Sequence, residues 1–208
     1  MKLFGYHRSS AAYRVRIALN YKSIKYDNTS VNLVDGEQRS ERYLALNTQG
    51  LVPILQISEG LQLTQSAAIL EWLEEEYPNP SLYPEDKFAR AEVRSITNTI
   101  ACDIHPLNNL RVLKYLTQNF GVEEERKTAW YQYWIAMGFA SIESRLIATP
   151  FSFGKNVSMA DVYLVPQVYN ALRFKQNMNE FPKIMMVYRN CNDIEAFTDA
   201  APEAQPDG

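Results

Sequence analysis

Cysteine is scarce: Cys102 and Cys191 are the only two in 208 residues. They form no CxxC pair and no metal-ligand spacing, so neither a disulfide framework nor a zinc site organises the chain. Both read as small buried hydrophobes in a reducing compartment. Long apolar runs are missing as well. No stretch reaches the roughly 18 residues a membrane span needs, and the run within MKLFGYHRSS is too short for a signal peptide. The expectation is a soluble cytoplasmic protein. Nor is there a basic surplus: 21 Lys and Arg stand against 24 Asp and Glu, a net charge of −3. That argues against a general nucleic-acid or anionic-membrane binder, while leaving room for a local cluster of arginines. Internal repeats and low-complexity tracts are absent.

What is present is an ordinary globular composition, 46 % apolar, over a length that accommodates two small domains. The clearest break is YPNPSLYPE, residues 77–85, where Pro78, Pro80 and Pro84 can continue neither a helix nor a central strand. Before it, KLFGY reads as a strand, AAYRVRIALNYK as a helix and IKYDNTSVN as an extended segment. VPILQIS and LQLT form a hairpin across Glu59-Gly60, and QSAAILEWLEEEY is an amphipathic helix with Ala68, Ile69, Trp72 and Leu73 on its apolar face. The order β-α-β then β-β-α predicts a small mixed sheet with packed helices, a thioredoxin-like arrangement. After the break the pattern is helical: a long segment over 86–120 interrupted at Pro106, helices over 123–147, 159–174 and 182–191, and a short one from Ile194. The expected fold is thus α/β plus all-α, with a thioredoxin-like domain over 1–80 and an all-helical domain over 81–208.

Several positions carry two readings. In YHRSSAAYRVRIAL, two serines sit where a strand feeds a helix. Each is a natural N-cap, and the same exposed amides and hydroxyls form a small anion site. Val52-Pro53 at the start of a strand is either an ordinary edge proline or a cis bond that turns the Val52 amide and carbonyl toward a peptide-like ligand. Gln65-Ser66 opens a helix, with Ser66 as cap and the start suited to a carboxylate. His105-Pro106 breaks a helix. His105 and Asn109, four apart, and Asn108 and Arg111, three apart, are then expected to share faces around the bend. SMAD, Ser158–Asp161, is a capping box and structural. Spacing alone makes Arg173 a surface charge.

Together RSSAAYRVRIAL, ALNTQGLVP, QSAAILEWLEE, DIHPLNNLRVLKYL, SMADVYLVPQV and AAPEAQPD resemble the glutathione S-transferase superfamily, and specifically its zeta class, the maleylacetoacetate isomerases. The resemblance spans essentially the whole chain. It implies a glutathione site in which Ser9, Ser10, Ala11, Ala12, Tyr13 and Arg14 surround the sulfur and the first helix turn. Gln38 approaches the glycyl end, Val52 pairs with the cysteinyl backbone, and Gln65 and Ser66 hold the γ-glutamyl carboxylate. His105, Asn109, Leu110 and Arg111 line the wall in the helical half. Ser9 matches the catalytic serine, with Ser10 as cap and second donor, and Arg8, Arg111 and Arg173 are implied to hold substrate carboxylates. A homodimer is the implied assembly.

The resemblance also implies the chemistry. Glutathione's thiolate adds to the cis double bond of a maleyl keto-acid, the bond rotates in the resulting enolate, and expulsion of the thiolate leaves the fumaryl isomer. Lowering a thiol pKa by about two units from ~8.5 requires about 2.7 kcal/mol. A helix start contributes up to ~1 kcal/mol and a hydrogen bond to a charged acceptor ~1.5–3 kcal/mol, which together suffice. One departure stands out: the family's Ser-Ser-Cys-x-Trp reads Ser9-Ser10-Ala11-Ala12-Tyr13 here. Relatives acting on maleylpyruvate also lack that cysteine, so maleylpyruvate isomerisation is the nearest alternative. A glutathione transferase or dehalogenase acting on small α-halo acids and a non-catalytic glutathione-binding module follow it.

Overall fold

The computed structural model describes residues 1–208. They divide into two units, Met1–Ser81 together with Asn192–Gly208, and Leu82–Cys191. The first break lies within one residue of the sequence boundary. The tail, expected in the helical half, instead groups with the sheet.

The first unit is built on a four-stranded sheet of order β2-β1-β3-β4. Strand β1 (Lys2–Gly5) alternates half-buried and buried residues, with Leu3 fully buried, because period-two patterning sends every second side chain to the core. It pairs parallel with β2 (Asp27–Ser30) and antiparallel with β3 (Ile54–Ser58), which pairs antiparallel with β4 (Leu61–Thr64). The polar DNTS sequence of β2 suits an exposed edge. Helix α1 (Ser10–Tyr21) is buried continuously from Ser10 to Leu19 and packs on α3 (Ser66–Glu76) and on α9 (Glu195–Thr198). On α3 the buried residues are Ser66, Ile69, Leu70 and Leu73. Leu70 thus takes the inward place expected of Ala68, which is exposed, and Trp72 is half-buried.

A helix that the sequence pattern did not reveal, α2 (Glu41–Leu46), lies between β2 and β3. Ser40 caps it, accepting from the Tyr43 N–H at 3.2 Å. Tyr43 packs with Val31 and Ile54, and its hydroxyl donates to the Leu51 carbonyl at 2.7 Å. The Asn47 side chain donates to the same carbonyl at 2.9 Å. Leu51 is thereby fixed immediately before the Val52-Pro53 peptide.

In the second unit, α4 (Lys87–Asn98) runs into a wider turn over Thr99–Ile104, where the His105 N–H reaches back five residues to Ile100. The helical pattern therefore ends before Pro106 rather than at it. Gly138 lies where Ile104 packs, and a Cβ there would overlap that side chain. Helix α5 (Leu110–Phe120) ends at Gly121, whose φ of 63° is the left-handed cap geometry glycine favours. Helix α6 (Glu124–Arg145) buries Tyr131, Ile135, Gly138, Phe139 and Ile142 as one stripe. Helix α7 (Met159–Arg173) is buried from Met159 through Val168. Helix α8 (Pro182–Asn192) follows.

The capping box at the start of α7 is present as expected. The Asp161 carboxylate accepts from the Ser158 N–H at 2.7 Å, the Ser158 hydroxyl at 2.8 Å and the Ser152 N–H at 2.8 Å. Burial pushes the Asp161 carboxyl up, against the opposing pull of those bonds. Cys191 is buried, whereas Cys102 is exposed, contrary to the expectation that both are core residues.

Candidate functional site

Ser9 has extended backbone, φ −73° and ψ 113°, and is the N-cap of α1. Its N–H donates to the Tyr6 carbonyl at 2.9 Å, which closes the strand-to-helix turn. Its Oγ accepts from the Ala12 N–H at 3.3 Å. This corrects the expectation that Ser10 caps the helix: Ser10 is the first helical residue, with its side chain buried. The geometry also reconciles the two readings of the double serine. As a cap, Ser9 spends only a lone pair, and its hydroxyl proton can still be donated to an acceptor outside the helix.

The side chains of Ala12, Tyr13 and Arg14 are 0 %, 2 % and 1 % exposed. Tyr13 belongs to the core, its hydroxyl donating to the Phe197 carbonyl at 3.3 Å. Around the start of α1, only Arg8 is exposed and Ser9 half-buried; Ala11 is nearly covered. A ligand approaching this turn would meet Arg8, Ser9 and helix amides rather than the Ala12 or Tyr13 side chains.

A second helix start belongs to the same unit. Gln65, at φ 68° and ψ 115°, is the N-cap of α3, and its side chain caps none of the first-turn amides. Ser66, expected as the cap, is instead the first helical residue. Its Oγ accepts from Arg14 Nη1 at 3.5 Å, which joins residues 52 apart in sequence. Uncapped first-turn amides with a guanidinium behind them make a positive seat for a carboxylate. The Gln65 amide donates to Gln49 Oε1 at 2.8 Å.

The Val52-Pro53 peptide is cis. Val52 stands outside the ladder, which begins at the Phe4–Ile54 pair, so its main chain is not committed to the sheet. Gln38 lies in a short 3-10 turn over Glu37–Arg39, and its side-chain oxygen is buried without a hydrogen-bond partner. Gly50, at φ 60°, passes so close to Gln38 that a Cβ would come within 2.9 Å of its carbonyl oxygen.

In the second unit, residues 105–109 form a turn rather than a helix, so the expected shared helical faces of His105 with Asn109 and Asn108 with Arg111 do not exist. Asn108 is a buried tie whose side chain donates to the Tyr131 carbonyl at 3.0 Å. The Trp130 indole donates to the Leu107 carbonyl at the same distance. Asn109 caps α5 by accepting from the Arg111 N–H at 3.1 Å. This leaves Leu110 and Arg111 exposed on the first turn, with His105 half-buried. Arg173, in the last turn of α7, is exposed and lies over the Phe174 ring at 4.9 Å. Phe174 in turn stacks on Tyr131 at 3.8 Å. No group of three or more His, Cys, Asp or Glu side chains could hold a metal ion.

The family model for the glutathione S-transferase N-terminal domain matches residues 3–81. A maleylacetoacetate isomerase of Pseudomonas aeruginosa is 45 % identical over 100 % of this chain and 98 % of its own. A solved holo structure of maleyl pyruvate isomerase, described as a bacterial zeta-class glutathione S-transferase, is 44 % identical with a TM-score of 0.97 and covers 100 % of both chains. The chain belongs to the zeta class of the glutathione S-transferase family. A second solved structure, a maleylacetoacetate isomerase from Methylobacterium extorquens AM1 with bound malonate and glutathione, is 37 % identical. Its TM-score is 0.94, and the match covers 99 % of this chain and 98 % of that one.

Within this zeta-class chain, the residues that sequence reasoning missed are those that hold the site from behind. Tyr43 and Asn47 fix the carbonyl before Val52, and Gln49 holds Gln65. Asn47 and Gln49 lie inside ALNTQGLVP, whose polar residues were the available signal.

Proposed function

We propose that the chain catalyses glutathione-dependent cis–trans isomerisation of a maleyl keto-acid, taking maleylacetoacetate to fumarylacetoacetate in aromatic amino-acid breakdown. The observation that carries this reading is Ser9: a helix cap that accepts from inside the helix and retains a proton to donate outward. The residues fit glutathione. The uncapped start of α3, with Ser66 backed by Arg14, suits its γ-glutamyl carboxylate. The uncommitted Val52 main chain suits its peptide, and the unpartnered Gln38 oxygen suits a donor near its glycyl end.

When bound, glutathione supplies the thiol nucleophile that adds reversibly across the double bond. Ser9 donates to that sulfur and, with the amides of α1, favours its ionised form. Arg8, beside Ser9, holds a substrate carboxylate, and in the second unit Arg111 and Arg173 are exposed cations suited to the same role. Asn109 sets the first turn of α5, and with it Arg111, by capping.

Ser9→Ala removes one hydrogen bond to a charged acceptor, so kcat/KM should fall roughly 10–150-fold. Unchanged turnover in Ser9→Ala would overturn the assignment. Substituting Arg8, Arg111 or Arg173 by Ala should weaken activity on dicarboxylates while glutathione affinity, read by calorimetry, stays intact.

Maleylpyruvate isomerisation is the second reading. Ala11 in place of the family's cysteine and the full-length likeness to a maleyl pyruvate isomerase favour it. Side-by-side kcat/KM values on the two acids decide between them. A homodimer in the cytoplasm is the setting we infer. Two free cysteines fit a reducing compartment, and Phe88, 75 % exposed on α4, fits a covered face in an assembly.

A further inference from the structure

The turn that carries Ser9 is gripped by groups distant in sequence. His7 sits two residues before Ser9. Its N–H donates to Asp207 Oδ2 at 3.2 Å, and its carbonyl accepts from Arg16 Nη2 at 2.9 Å. Both hydrogen-bonding groups of one residue are therefore held, one by the tail and one by the helix that Ser9 caps.

Each holder is itself anchored. Asp207 also accepts from the Ser30 hydroxyl at 2.7 Å, and its Oδ2 lies 3.2 Å from His7 Nδ1. Arg16 Nε donates to the Ala200 carbonyl at 2.8 Å, so the same guanidinium joins the tail to the turn. The tail is stitched down by Gln205, which accepts from Asn28 at 3.0 Å and donates to the Asp199 and Ala201 carbonyls at 2.8 and 2.9 Å.

Arg16 is only 1 % exposed. Burying a guanidinium is expensive, and an apolar residue of similar volume would pack α1 as well. What the apolar residue could not do is hold the His7 carbonyl and the tail together. Burial drags the Arg16 pKa down to about 10, even though Tyr26, Tyr13 and Asp207 pull it the other way. The convergence of these bonds on His7 places their effect beside Ser9 rather than across the core at large.

We propose that Arg16 and Asp207 are positioning residues for Ser9: by clamping the His7 backbone from both sides, they set where the Ser9 hydroxyl stands relative to the sulfur of bound glutathione. The proposal rests on the reading of Ser9 given above. A hydroxyl displaced by about 1 Å is enough to lose on the order of 100-fold in rate.

The test is a double-mutant cycle with Ser9→Ala, Asp207→Ala and the combined variant in the full-length protein. Two quantities are read: the pH at which bound glutathione ionises, followed by thiolate absorbance in the ultraviolet, and kcat against KM for glutathione. Asp207→Ala should raise the ionisation pH by roughly one unit and lower kcat about 10–100-fold, with KM little changed. Asp207→Asn, which keeps one acceptor oxygen, should recover much of the loss. In the Ser9→Ala background, Asp207→Ala should have almost no further effect on the ionisation pH.

Additive effects of the two substitutions, or an Asp207→Ala protein altered only in thermal midpoint, would overturn the positioning role. If Ser9→Ala leaves the ionisation unchanged, the reading of Ser9 itself falls, and that result is distinguishable from the others. Arg16→Met repeats the test from the opposite side of His7. Asp207→Asn and Ser30→Ala serve as the milder pair should Arg16→Met fail to fold.

Discussion

Lys22→Met severs a buried staple at the far end of α1. The Lys22 side chain is 0 % exposed, and its ammonium makes three contacts: Glu74 Oε2 at 2.8 Å, the Tyr77 carbonyl at 2.7 Å and the Pro80 carbonyl at 2.8 Å. All three protons of the group are used. Lys22 is the C-cap of α1, and Tyr77 the C-cap of α3. The cation thus sits at the negative end of α3, a further ~0.3–1 kcal/mol in its favour.

Glu74 is 10 % exposed on its side chain, so removing the lysine takes the cation away from a nearly buried carboxylate that also accepts from the Ser81 hydroxyl at 2.6 Å. Breaking a buried pair from one side costs about 3–5 kcal/mol. Methionine fills most of the vacated volume, which leaves little cavity contribution to add. For a chain of this size the loss corresponds to a fall in Tm of roughly 6–20 °C. Glu74→Gln retains an acceptor oxygen and should cost less, about 1–2 kcal/mol. Calorimetric or urea unfolding of both single variants and the double variant measures the coupling. A Lys22→Met loss below about 1 kcal/mol is what a hydrated surface pair would give, and it would refute the reasoning.

Asp161→Ala leaves the Ser152 and Ser158 amides and the Ser158 hydroxyl without their shared acceptor. At about 1–3 kcal/mol for each orphaned donor, the loss should be roughly 3 kcal/mol or more, seen as a lower Tm with kcat per folded molecule unchanged. Burial raises the ionisation of Tyr43 and Tyr131 above the ordinary value of 10.0. The folded chain then keeps protons that the unfolded chain gives up, and stability should fall as pH rises above about 10. Ultraviolet titration should show these tyrosinates appearing only with unfolding. Their release in a still-folded protein would contradict the assignment.

The parts of the fold legible in the sequence were those with a local signature. KLFGY and the LQLT hairpin carry period-two alternation, and SMAD carries its own capping chemistry. Other features turn on geometry that residue types do not encode. Ser9 and Ser10 are equally good caps by type, and only backbone angles and the Ala12 bond separate them. Gln65 at positive φ is a conformation its side chain does not advertise. ERYLAL is one short helix, too brief for a 3.6-residue period to register. The wide turn over Thr99–Ile104 keeps apolar residues coming at helical spacing, so the pattern alone points to a break at Pro106. As for the candidate site, its residues lie within short motifs, whereas the side chains that support those motifs do not. Arg14 meets Ser66, and Asp207 meets His7, across chain separations that no local pattern spans.

The return of the tail to the sheet means that the first part of the chain to be synthesised is among the last to be completed. Strand β1 and the turn before α1 emerge at once, but Asp207 follows Ser81 by about 125 residues. At about 5–20 residues per second on the ribosome, that is a wait of roughly 6–25 s. During it the Arg16 guanidinium lacks the Ala200 carbonyl that receives one of its bonds, and the His7 amide lacks its carboxylate. The nascent sheet therefore passes through an interval in which that cation has only one of its two carbonyl acceptors. A chain arrested before residue 199 holds the strands and helices of the sheet-bearing unit without the ties that grip the turn before α1.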